Sequence, residues 1–332
     1  MSRRGTIIVI CGAVALVAIV GAALSLLAFA PTPTNPARPA FTLSVARKPI
    51  PAPFVMFRTL APRHAFGRIA MASPAAPFER RLTPLSCARV QFAGGTGLCL
   101  IEEPDGKAVR QVLYLFDATF ALGARFVLSG IPIRARVSPD GRLAAVTTYG
   151  EEESPAGERL ASASMLIDVA SGRVLGDLRS FSVVSAADQP IVAPVDISSV
   201  AFVDGDRFYA TLSTADHRYL VTGSVARRRL DVFASGLANE AVSPDGRRLL
   251  VKKLVDASGF WQLAVLDLDS LREVTLNQGP RSVDDQVEWL DAGHVVYHDV
   301  TDEGTGIWML PTDGTTGPRL LIADAFSPAV QR

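Results

Sequence analysis

The sequence has few of the residues that hydrolytic and metal chemistry rely on. It holds four histidines (His64, His217, His294 and His298) and three cysteines (Cys11, Cys87 and Cys99) in 332 residues. It contains no His-Glu-x-x-His and no Gly-x-Ser-x-Gly. The zinc-binding helix of a metalloprotease and the nucleophile elbow of an α/β-hydrolase are therefore excluded. Neither charge is in excess: 33 Lys and Arg balance 33 Asp and Glu, for a formal net charge of zero. No global basic field exists to hold nucleic acid or an anionic surface. The densest basic run, Arg227-Arg228-Arg229, reads as a solvated turn.

The remaining candidates for chemistry are weak. His294 and His298 lie four apart on a predicted strand. They share a face, but strand rise separates them by about 13 Å, too far for one metal; they read as satisfied polar residues. Glu151-Glu152-Glu153 reads as a solvated rim loop. Ala93-Gly94-Gly95-Thr96-Gly97 lies in a hairpin rather than between strand and helix, so it is no phosphate cradle. No catalytic residue, metal site or cofactor is expected. Cys87 and Cys99 fit one disulfide in an oxidising compartment. A simple hairpin register leaves them a few residues out of line, and two free buried thiols are the other reading.

Charge is also missing locally. After Ser2-Arg3-Arg4, residues 6–30 carry none. That stretch is long enough to cross a bilayer, and the arginines before it keep its start cytoplasmic. A retained anchor is expected. The alternative is a signal peptide cut after Ala28-Phe29-Ala30, which Pro31 at the next position disfavours. Residues 31–52 are proline-rich and read as a semi-rigid extended linker.

What the chain has in quantity is short strands. Ser138-Pro139-Asp140-Gly141 and Ser243-Pro244-Asp245-Gly246 each sit between two apolar runs. Proline fixes φ, aspartate bonds its own backbone, and glycine accepts positive φ. Asp140, Gly141, Asp245 and Gly246 are thus expected as structural turns. From Leu237 the chain reads as four strands in about 40–50 residues, the size of one propeller blade. Units of the same kind start near Arg89, Arg134, Val200 and Val287. Phe66–Ala72 overlays Phe260–Leu266 at an offset of 194, and Val55–Leu60 overlays Leu249–Leu254 at the same offset. The first unit thereby lacks an inner strand. Ala325-Phe326-Ser327-Pro328 in the tail, matched to Ala241-Val242-Ser243-Pro244, is expected to supply it and close the ring. The reading is all-β: a six-bladed β-propeller of four-stranded antiparallel blades over residues 53–332, preceded by one transmembrane helix.

Ser-Pro-Asp-Gly at the inner hairpin of a blade resembles the repeat of TolB-like propellers, and the propeller of prolyl oligopeptidases carries the same motif. The resemblance covers about residues 53–330 and is carried chiefly by the units at Ser138 and Ser243. It implies an extracytoplasmic platform in the bacterial cell envelope that binds proteins. The chain departs from the pattern where an anchor and linker, rather than an α/β domain, precede the blades. The expected function is a non-enzymatic, membrane-tethered docking module, monomeric, with an envelope protein as partner and no nucleic acid. The alternatives are a lactonase- or lyase-like enzyme with a metal in the central channel, and a cell-wall saccharide-binding module.

Overall fold

A computed structural model describes residues 41–332 except 63–64, 155–156, 186–188, 192–194, 256–258, 284 and 303. The expected anchor at residues 6–30, the first part of the linker (residues 31–40) and His64 lie outside the described residues. Among the described residues, no helix is long and apolar enough to cross a membrane.

Six sheets follow one another along the chain. Blade 1 holds β1 (Thr42–Val45), β2 (Phe54–Thr59), β3 (Arg68–Ser73) and β4 (Ala76–Ser86). Blade 2 is β5 (Arg89–Ala93), β6 (Thr96–Asp105), β7 (Ala108–Asp117) and β8 (Leu122–Val127). Blade 3 is β9 (Ile131–Val137), β10 (Leu143–Ser154), β11 (Gly157–Asp168) and β12 (Arg173–Asp177). Blade 4 is β13 (Ser182–Val184), β14 (Asp196–Phe202), β15 (Arg207–Ser213), β16 (Arg218–Ser224) and β17 (Arg229–Ser235). Blade 5 is β18 (Ala238–Val242), β19 (Arg248–Leu254), β20 (Trp261–Asp267) and β21 (Glu273–Thr275). Blade 6 is β22 (Val287–Trp289), β23 (His294–Thr301), β24 (Gly304–Pro311) and β25 (Arg319–Ala323). The last strand, β26 (Ala325–Gln331), pairs antiparallel with β2 and completes blade 1 from the far end of the chain.

The apolar runs are nearly continuous because each blade is buried on both faces. Strand period two sends Val55 and Phe57 to the blade 6 side, among Val296 and Ile307. It sends Phe54 and Met56 to the blade 2 side, among Val90 and Phe92. The six clusters of buried apolar side chains are the six interfaces between neighbouring blades. The interface between blades 4 and 5 is the smallest.

Four details differ from the sequence reading. The propeller begins at Thr42 rather than residue 53, because β1 adds to blade 1 as a parallel outer strand on β4. Phe41 helps hold it there, its ring lying 3.9 Å from the guanidinium of buried Arg80. Blade 4 also gains a parallel outer strand, β13 on β17, so two blades are five-stranded. Glu151-Glu152-Glu153 is not a loop. It extends β10, paired with Leu160, Arg159 and Glu158 of β11. Finally, the tail closes the ring in a different register. Val55 pairs Val330, while its counterpart Leu249 pairs Val242. Val330 is thus the equivalent of Val242, and Ser327-Pro328 lies within a strand rather than at the turn that holds Ser243-Pro244. The offset of 194 does hold: Val55 pairs Ala72 as Leu249 pairs Leu266.

Candidate functional site

The inner strands β5, β9, β14, β18, β22 and β26 line the axis, each packed against the next around the ring. Several carry a register shift on the side facing the axis. In β18 it falls between Asn239 and Ala241, leaving Glu240 as the extra residue. In β14 and β26 it coincides with positive φ at Ser199 (φ 53°) and Ser327 (φ 55°). Such bulges re-aim a side chain. Here they help place polar groups where a regular strand would place apolar ones.

Glu240 is almost fully buried, and so is the lysine that meets it. Lys252 Nζ lies 3.0 Å from Glu240 Oε1, with side-chain exposures of 3% and 2%. The same Nζ donates to the main-chain oxygen of Asp285 at 2.8 Å. Arg134 Nη2 approaches Glu240 Oε1 to 3.7 Å.

Glu288 lies one blade on. Its Oε1 accepts from Gln91 Nε2 at 2.7 Å, Arg136 Nη1 at 2.8 Å and Gln286 Nε2 at 3.0 Å. The other arm of Arg136 donates to Glu240 O and Val287 O, at 2.8 and 3.1 Å. One guanidinium thus ties the inner strands of blades 3, 5 and 6 together.

Asp285 is the third acid. Its Oδ1 accepts from Arg89 Nη1 at 2.8 Å, and its Oδ2 lies 3.7 Å from His298 Nδ1. Burial pushes the Asp285 carboxyl up, but the Arg89 guanidinium outweighs it and holds it below the usual carboxylate range. Burial moves His298 the other way, below its ordinary value, against the pull of Asp285 and Asp299. His298 also meets Thr305 Oγ1 at 3.0 Å and the edge of the Phe326 ring.

His294 lies at the start of β23, its Nδ1 2.9 Å from Asp291 Oδ1. Among the described residues, no group of three or more His, Cys, Asp or Glu is placed to hold a metal ion.

The Ser-Pro-Asp-Gly turns surround one end of the axis. Ser138 Oγ donates to Asp140 Oδ1 at 2.6 Å and accepts from Leu143 N at 2.9 Å. Ser243 repeats this with Asp245 Oδ1 at 2.5 Å and Arg248 N at 2.9 Å. Gly141 and Gly246 hold φ of 72° and 71°. The Ser243 hydroxyl keeps the Asp245 carboxyl below its ordinary range. Between these turns a funnel of about 820 Å³ opens, with Gln91, Arg136 and Glu288 on its floor and Arg332 on its wall. It continues outward as a cleft between blades 4 and 5, past Arg207, Tyr209 and Thr222.

Sequence reasoning located the turns but not this network. Arg136 stands two residues before Ser138, and Glu240 three before Ser243. That recurrence of a charge within each inner strand was the available signal. The run 227–229 begins in an exposed turn, as read; there Arg228 also lies over the Phe181 ring at 4.7 Å and donates to Ser180 Oγ at 2.8 Å. Cys87 and Cys99 are joined by a disulfide with Cα atoms 5.3 Å apart. Cys87 stands in the short link between β4 and β5, outside the hairpin register.

No protein-family model matches this sequence, and no curated protein matches it. Solved structures do. The chain is similar to TolB from Acinetobacter baumannii, with a TM-score of 0.57 and 16% identity over 84% of this chain and 67% of that one. It is also similar to a puromycin-hydrolyzing peptidase of Mycobacterium tuberculosis (TM-score 0.47, 13% identity), covering 78% of this chain and 42% of that one. For the putative TolB of Agrobacterium tumefaciens the values are 0.44 and 14%, over 81% and 88%. At such identities the likeness is one of fold: a β-propeller resembling TolB and the propeller domains of peptidases.

Proposed function

We propose that this chain is a non-enzymatic docking module, tethered by residues 6–30, whose propeller receives a protein partner on the extracytoplasmic side of the cytoplasmic membrane. The observation that carries the reading is the state of the axial acids. Glu240, Glu288 and Asp285 are each held by a cation from another strand. A metal-dependent propeller enzyme needs carboxylates free to take up the ion. Here Glu288 and Asp285 tie blades together, and Glu240 closes on a lysine of its own blade.

The docking end follows from topology. The loop between second and third strands lies at the end opposite the Ser-Pro-Asp-Gly turns. That end exposes Phe66, Ile131, Leu160, Leu254, Val255 and Val300. Ile131 and Val300 are each 64% exposed. Apolar tips grouped at one end fit a protein partner better than a polar one. The Cys87–Cys99 disulfide suits an oxidising compartment.

The test uses the full chain in cells, with a photo-crosslinking residue at Leu254 or Val300 and a control at Arg247 on the opposite end. A discrete protein adduct in the membrane fraction is expected from the first two positions only. Absence of any adduct at the apolar tips, or equal adducts at all three positions, sinks the reading.

A further inference from the structure

Equal totals of the two charges hide a division along the chain. No Asp or Glu occurs before Glu79. Residues 41–86, which form blade 1 apart from its closing strand, carry seven Lys and Arg against that one Glu. The closing strand β26 adds no charge. Residues 87–332 carry 23 Lys and Arg against 32 Asp and Glu. One blade is therefore cationic, and the other five together are acidic. A charge division of this kind points to contact with an anionic surface.

The exposed part of the positive charge sits at the outer edge of blade 1. Arg80 is buried and serves the core. Arg47, Lys48 and Arg81 are exposed, and with Glu79 they line a cleft of about 590 Å³ between residues 46–53 and the strands of the blade. Strand β1 runs beside Glu79 and Arg81. It is the last strand of its sheet, so among the described residues its outer edge meets no other strand. It is exposed along its whole length, with Leu43 at 44% and Val45 at 71%. Cations beside exposed apolar side chains suit the boundary between lipid headgroups and acyl chains.

We propose that the outer edge of blade 1 lies on anionic headgroups of the membrane that holds the tether. The nearness of that membrane rests on the tether reading given above. Eleven residues lie between residue 30 and β1, and they can bridge at most about 40 Å. Blade 1 is the blade the tether reaches first. Arg47, Lys48 and Arg81 take lipid phosphates, Leu43 and Val45 enter the interface beside them, and repulsion turns the acidic blades away. Because the tether keeps this edge at high effective concentration, a few exposed cations suffice. The outer edge of a blade is on the flank of the ring, so the apolar docking end stays open to a protein.

The test reconstitutes the full chain into phosphatidylcholine vesicles with or without phosphatidylglycerol. A photo-crosslinking residue stands at Val45 or, as a control, at exposed Val174 on the outer strand β12 of blade 3. Lipid adducts at Val45 should be at least about tenfold more abundant with phosphatidylglycerol. They should return to the phosphatidylcholine level in about 1 M salt, where the screening length is about 3 Å. Val174 should give none. Arg47→Glu, Lys48→Glu and Arg81→Glu together should abolish the difference, with an unchanged urea midpoint showing that the fold is intact. Retention of the chain in phosphatidylcholine vesicles at the same salt tests the tether separately. Release there sinks the tether alone, because the adduct with phosphatidylglycerol still reports on the blade. Adducts that are absent, independent of phosphatidylglycerol, equal at Val45 and Val174, or unchanged in the triple variant overturn the proposal. So does a protein-sized adduct at Val45, which would assign the edge to a second copy or to another acidic protein.

Discussion

Glu240 and Glu288 sit on neighbouring inner strands, and both are buried, yet their surroundings differ in kind. Glu240 is sealed in, with Lys252 at 3.0 Å and side-chain exposures of 2% and 3%. Glu288 lies on the floor of the funnel, held by one guanidinium and two amides, with a further guanidinium on the wall. The first arrangement closes the axis. The second leaves it polar and open at one end. The difference teaches that burial alone does not separate a structural carboxylate from one at a binding site. What separates them here is whether a cavity reaches the carboxylate.

The largest effect should come from breaking the sealed pair. Lys252→Met leaves Glu240 buried with only the more distant Arg134, and should cost about 3–5 kcal/mol of stability, read from the midpoint of urea unfolding. Pairing it with Glu240→Leu should recover most of that loss, because two apolar side chains replace two buried charges. A double variant as unstable as the single would mean that Arg134 and not Lys252 balances the acid.

Glu288→Gln should cost less, about 1–3 kcal/mol. Arg136 keeps its two main-chain acceptors, Glu240 O and Val287 O. Loss of stability as large as that of Lys252→Met would erase the distinction between the two sites.

How much of this could be read beforehand depends on the kind of signal. Strand lengths and turns were legible, because Ser-Pro-Asp-Gly fixes backbone geometry locally. What surrounds each turn was not. A Cβ on Gly141 would come 2.5 Å from the oxygen of Gly94 in blade 2, whereas one on Gly246 would meet nothing within 4 Å. The same four residues pack against a neighbour in one case and edge the funnel in the other.

Ring closure was also legible, though through Ser327-Pro328, a match four residues out of register. The sound signal was the missing inner strand of the first unit. The axial network was hidden because its pairs join residues about 12 to 200 apart in sequence, as with Lys252 to Glu240 and Gln91 to Glu288. The parallel outer strand β1 was hidden because a proline-rich stretch reads as linker until it meets a free sheet edge.

The smallest expected effect concerns the far end of the axis. Asp285 connects to the sealed pair through its main-chain oxygen, which accepts from Lys252. His298 is the imidazole there. Around it stand Asp285, Asp299, Arg89, Thr305 and the Phe326 ring. Its pKa is lowered in the folded chain, chiefly by burial, so between that value and about 6.5 the unfolded chain binds more protons. The contribution of His298 to stability is therefore full above about pH 6.5 and is lost as pH falls through the folded value. Urea midpoints should decline modestly on acidification from pH 7.5 through that window, and His298→Gln should flatten the decline. The Asp285 carboxyl is held low, so its own loss comes in a separate window, below the ordinary carboxylate range near 4. If the decline below about pH 6.5 persists in His298→Gln, the titrating group lies elsewhere.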